Sequence, residues 1–229
     1  MAQLTGTLSN FITRIRRYIG EETASESFWS DNLIKQIFNS CYRRRCAELI
    51  MAYEGYFTVV ATRDTVAEQE RYAWPTGFER LFKMEIVRSD GRTTPIQRQE
   101  RHYSSKPAPQ SSGDSYLPTY RSIGSGFVLE PAPIEAVSGQ LRMEYCVTPT
   151  ELTADDDELH SDFPTMMDEM LVLDAAVALF DQEQTQEEGR VRSLLRLRAE
   201  WEMTWERFID NRLVSANSVT PYGTHYRDA

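Results

Sequence analysis

Asp155, Asp156, Asp157, Glu158, His160 and Asp162 crowd one stretch, ELTADDDELHSDFP (residues 151–164), and are the side chains best suited to chemistry. Carboxylates and an imidazole this close suit a divalent cation, and through it a metal-dependent hydrolase or nuclease using Asp155, Asp157 and His160. The spacing argues against that reading. A calcium loop needs oxygen ligands at alternating positions, a glycine at the sharp bend and a terminal bidentate glutamate. With Asp155 and Asp157 as the first two ligands, Leu159 takes the third ligand position, His160 the glycine's place and Met166 the glutamate's. A two-metal site draws its carboxylates from separate elements, which a local run cannot show. The plainer reading is a solvated turn feeding a helix, with Pro164 in the first turn and carboxylates near the free N–H groups. The expectation is therefore no metal, no cofactor, no catalytic residue and no enzyme activity.

The other reactive residue types are scattered. His102 and His225 stand apart from any acid or nucleophile motif, and no G-x-S-x-G, H-E-x-x-H or GxxxxGK[ST] sequence occurs. Gly124 and Gly126 precede GFVLE, a strand pattern, which suits a β-turn better than a phosphate loop. Cys41, Cys46 and Cys146 are odd in number and lack paired zinc spacing, so either a reducing compartment is expected or the thiols are simply not needed. Trp201 and Trp205, at i and i+4, read as bundle core or a helix-to-helix interface.

Two arginine groups remain: Arg14, Arg16 and Arg17, then Arg43, Arg44 and Arg45. They could touch DNA, which would show as steeply salt-dependent binding. The net charge of -10 disfavours that, and salt links to an acidic surface of another subunit are the simpler use. Residues 151–210 hold 17 acidic side chains against 5 arginines, whereas residues 1–50 hold 7 basic against 5 acidic. The two parts can complement one another within a chain or between copies.

These groups must be positioned by recognisable elements. Leu8, Phe11, Ile12, Ile15 and Ile19 give an amphipathic helix over 7–19 that Gly20 ends. Ser30 is placed to cap a second helix, whose stripe runs from Leu33 to Ile50 and is interrupted by Arg43–Arg45. The middle changes period. YFTVVAT, RYAWP, LFKMEIV, TPIQRQ, YLPTYRSIG, GFVLEP and GQLRMEYCV read as strands, SDGR (89–92) as a hairpin turn, and 104–115 as an exposed loop. Helical spacing returns from Phe163, in FPTMMDEMLVLDAAVALFDQE and again in the tryptophan-bearing segment to Val214. The expected fold is mainly α: a four-helix bundle-like core with a β-rich insertion between the second and third helices (α+β) and a flexible C-terminal arm. The expected divisions are a helical pair at 1–55, the insertion at 56–150, a second helical pair at 151–212 and the arm at 213–229. No apolar run approaches the ~20 residues that span a bilayer, and the first residues lack a signal-peptide pattern.

Over about residues 7–210, the order of motifs resembles the head-to-tail adaptor (connector) proteins of tailed bacteriophages. LSNFITRIRRYIGE matches their short first helix, and Trp29, Ser30 and Asp31 match the opening of their second. Tyr72, Pro75 and Phe78 match a Y-x-x-P-x-x-F strand ending, YRSIGSGFVLEPAP a strand running into P-x-P, and MLVLDAAVALF the alanine-rich helix. The 104–115 loop is longer and more polar than that pattern, and residues after 212 have no counterpart in it. The resemblance implies a virion protein at the head-tail interface, made in the host cytoplasm. It implies a homo-oligomeric, dodecameric ring below the portal protein that receives a tail or nozzle protein. Double-stranded DNA would pass through without sequence-specific binding, and no membrane would be involved. On that basis Arg14, Arg16, Arg17, Arg43, Arg44, Arg45, Tyr222 and Tyr226 are candidate subunit or portal contacts. Asp155, Asp156, Asp157, Glu158 and Asp162 become a candidate acidic channel or interface surface. A tail-completion or terminator protein further down the tail is the alternative structural reading, and the metal-dependent hydrolase or nuclease the alternative of another class.

Overall fold

The computed structural model describes residues 6–21, 28–52, 55–99, 116–182 and 188–217; the 104–115 loop, Tyr222 and Tyr226 lie outside them. Among these residues, the chain forms α1 (Leu8–Ile19), α2 (Asp31–Ala52), β1 (Thr58–Thr65), β2 (Arg71–Ala73), β3 (Phe78–Val87) and β4 (Thr93–Pro95). Then follow β5 (Thr119–Ile123), β6 (Gly126–Glu130), β7 (Val137–Val147), α3 (Asp168–Gln182) and α4 (Glu188–Asn217). The chain divides into two compact units, Met1–Tyr56 with Pro149–Ala229, and Phe57–Thr148.

The helical unit is built around α3. From Met170 to Phe180 every residue except half-buried Ala178 is buried, so this stretch of the helix has no solvent face. α1, α2 and α4 all pack on it. Phe11 stacks on Phe38 across α1 and α2, and Trp205 is buried on α4, where its ring stacks on Phe163. The helix ends follow local chemistry. Ser30 Oγ accepts the Leu33 N–H at the start of α2. Gly20 ends α1 at φ 83°, and its amide donates to the Arg17 carbonyl. A side chain there would collide with the Arg190 guanidinium, which donates to the Ile19 carbonyl oxygen. Pro164 stands before a single 3-10 turn, Thr165–Met167, that leads into α3. α4 runs to Asn217, past residue 212.

The sheet unit corrects the expected fold class. The protein is not a mainly α bundle: beside the helices, seven strands among the described residues form two antiparallel sheets, ordered β1-β7-β3-β4 and β2-β6-β5. One core joins them. Met84, Ile86, Leu141, Met143 and Tyr145 of the first sheet cluster with Tyr72, Phe127 and Leu129 of the second. An isolated sheet has to find something on which to bury its apolar face; here each sheet supplies that surface to the other. The helices are thus joined to a second, separately cored layer structure, not interrupted by a decoration. Gly126 permits the close β2–β6 approach, because a Cβ there would lie 2.2 Å from the Tyr72 carbonyl oxygen. The SDGR hairpin forms between β3 and β4, with Asp90 Oδ1 accepting the Arg92 N–H. No helix among the described residues is long and apolar enough to cross a membrane.

Candidate functional site

The acidic stretch between β7 and α3 is a turn whose backbone does more than its charges suggest. Thr7, the residue ahead of α1, makes no side-chain capping bond. The first free N–H groups of α1 are met instead by this turn: Leu8 donates to the Asp157 carbonyl at 2.8 Å and Ser9 to the Asp155 carbonyl at 3.0 Å. Thr7 and Glu158 complete the junction with a β-bridge. Asp157 holds the turn in shape. Its carboxylate accepts the backbone N–H groups of Thr153 at 2.6 Å and Ala154 at 2.8 Å, which keep its pKa below the usual carboxylate range.

The remaining charges of the stretch diverge. Asp155 extends to Lys35 of α2 at 2.7 Å, and Asp156 and Glu158 are exposed. The His160 amide donates to the Tyr42 hydroxyl, while its Nδ1 accepts the Asp162 amide. Among the described residues, no group of three or more His, Cys, Asp or Glu is placed to hold a metal ion.

The arginines separate into inward and outward sets. Arg16 is buried and donates to Glu21, Asp31 and the Trp29 carbonyl. Arg14 and Tyr18 both bond to Glu169 of α3. Arg17 is exposed and makes no ion pair with a described residue. Arg43 pairs with Glu151 at 3.0 Å, both side chains being half exposed.

Arg44 and Arg45 meet at Asp174, a carboxylate with no solvent exposure in the middle of α3. Arg45 Nε reaches it at 2.8 Å, Arg44 at 2.8 Å and Arg198 of α4 at 2.6 Å. Burial alone would raise the Asp174 pKa, but hydrogen bonds from Arg45 and Arg198 outweigh it and hold the pKa below its ordinary value. Arg45 also binds Glu48 and Glu202, and its guanidinium lies 5.4 Å from the centre of the Trp205 ring. The network therefore ties α2, α3 and α4 together. Its one legible sign was a lone aspartate inside LVLDAAVALF, since a charge in an apolar helix has to be paired.

Asp168, at the start of α3, has the opposite character. One of its carboxyl oxygens is buried without a hydrogen-bond partner. Burial pushes its pKa up to about 6, with Arg14 opposing the shift and Glu169 adding to it.

The outcome is a rigidly ion-paired helical unit with Arg17, Arg43 and Arg44 on its surface, and with acidic side chains facing outward from the turn. Such an arrangement offers surfaces for assembly. None of the curated proteins compared with the chain matches it. A family model described as SU10 adaptor protein matches residues 6–224, spanning the helical segments at both ends and the sheet unit between them. The chain belongs to the SU10 adaptor protein family, a family of phage head-to-tail adaptors, as the order of its motifs had suggested.

Proposed function

We infer that the chain is a structural component of a tailed-phage virion that assembles as a homo-oligomeric ring, dodecameric by analogy, below the portal. The ring joins the capsid to the tail or nozzle and surrounds the path by which double-stranded DNA leaves. The family match over residues 6–224 carries this reading. The charge distribution supports it: exposed Asp155, Asp156 and Glu158 would repel passing phosphates if turned inward, or pair with a basic rim if turned to a neighbour. Of the six candidate arginines, Arg17, Arg43 and Arg44 are the exposed ones, and portal or neighbour contacts fall first to them.

Electron microscopy of the chain, alone and mixed with its portal protein, tests the proposal. Rings seated on the outer end of the portal are the expected result. Monomers within mature particles, without portal contact, would sink it.

A further inference from the structure

At the C-terminal end of α2 an open groove of about 530 Å³ lies between that helix and α4. Its floor is apolar: Met51 is 81% exposed there, beside Ala52 and Ile209. Its rim is acidic. Glu48 and Glu202 are held by Arg45, but Glu206 and Asp210 are exposed and form no ion pair with a described residue. An exposed apolar floor inside a carboxylate rim suits a partner that presents an apolar knob beside a cation.

The helical unit carries both an exposed aromatic ring and an exposed cation at its other end. Phe28, 68% exposed, stands just ahead of α2 with its ring edge-on to buried Trp29. Arg16 donates to the Trp29 carbonyl oxygen, which fastens the last turn of α1 to this corner. The next residue, Arg17, is exposed and unpaired among the described residues. Corner and groove are separated by the length of α2, ~30 Å from Asp31 to Met51 at the usual rise per residue. They cannot meet within one helical unit. They can meet between copies, in a heterologous contact that closes into a ring when the rotation permits.

We propose that Phe28 and Arg17 of one copy seat in the Met51–Ile209 groove of the next, with Arg17 paired to Glu206 and Asp210. The proposal rests on the ring reading above and names a contact between its neighbours. Native mass spectrometry and sedimentation of the full chain, alone and with the portal protein, test it. Phe28→Ala, Arg17→Glu, and Glu206→Arg with Asp210→Arg are each expected to weaken self-association at least about tenfold. A chain carrying Arg17→Glu together with Glu206→Arg and Asp210→Arg is expected to regain assembly. All four positions are exposed, and circular dichroism checks that the helices persist. Unaltered assembly in every single-face variant overturns this contact and leaves the ring standing, as does loss without recovery in the charge swap. A wild-type chain that stays monomeric even with its portal overturns the ring reading, and this contact with it.

Discussion

Replacing Asp174 with alanine strips the common partner from Arg44, Arg45 and Arg198 and leaves Arg45 buried with only its glutamates. Breaking a buried pair in this way is expected to cost about 3–5 kcal/mol, read as a lower denaturation midpoint. Changing Asp174→Leu and Arg45→Met together is expected to cost less than the sum of the single changes, because no fully buried charge is then left unpaired, while Arg44, Arg198, Glu48 and Glu202 keep access to solvent. Asp168 makes a prediction of opposite sign. Its folded pKa of about 6 lies above the ordinary 3.8, so the native state holds its proton more tightly than the unfolded chain. Its contribution to stability is present at low pH and is lost as pH rises from about 4 to 6. Asp168→Asn is therefore expected to gain stability relative to the parent across that window and to hold the gain above it, in denaturant titrations run at successive pH values. Asp174 was only half legible in the sequence: a carboxylate in an apolar helix requires a partner, but on sequence alone the three consecutive arginines read as contacts to another subunit or the portal. Which of them turns inward depends on how α2 meets α3 and α4, and no local pattern states that.

At the level of elements, what is local was readable. Gly20 as a stop, Ser30 as a cap and SDGR as a hairpin each depend on a few neighbouring residues, and each formed as their chemistry required. The use of the acidic turn was hidden, because its working groups are backbone carbonyls, which leave no mark on composition. Asp157→Ala should free the Thr153 and Ala154 amides, loosen the turn and speed hydrogen exchange at the Leu8 and Ser9 amides. Asp156→Ala, at an exposed position of the same turn, should leave those rates unchanged; equal acceleration by both would refute the clamp. Gly20→Ala should shorten α1 from its C-terminal end, at a cost of about 1 kcal/mol or more from the left-handed backbone alone.

For the whole molecule, the expectation was a helical bundle core with a β-rich insertion, and it named no surface on which the sheet would bury its apolar face. The strands were legible one by one, but their pairing was not. β1 aligns with β7 from Thr58 opposite Cys146 to Thr65 opposite Val137, the whole length of β1. Such pairing is set by which faces are apolar after both sheets have formed, not by any short motif. Since the sheet unit has a core of its own, a chain of residues 57–148 should fold cooperatively when expressed alone, with β-type circular dichroism and a single melting transition. The same register has a historical consequence. The strand that opens the sheet unit and the strand that closes it lie side by side, so the path into the unit and the path out of it start from one place. A segment attached in that manner is a cassette: recombination between phage genomes can exchange or resize it while the helical frame keeps its own threading.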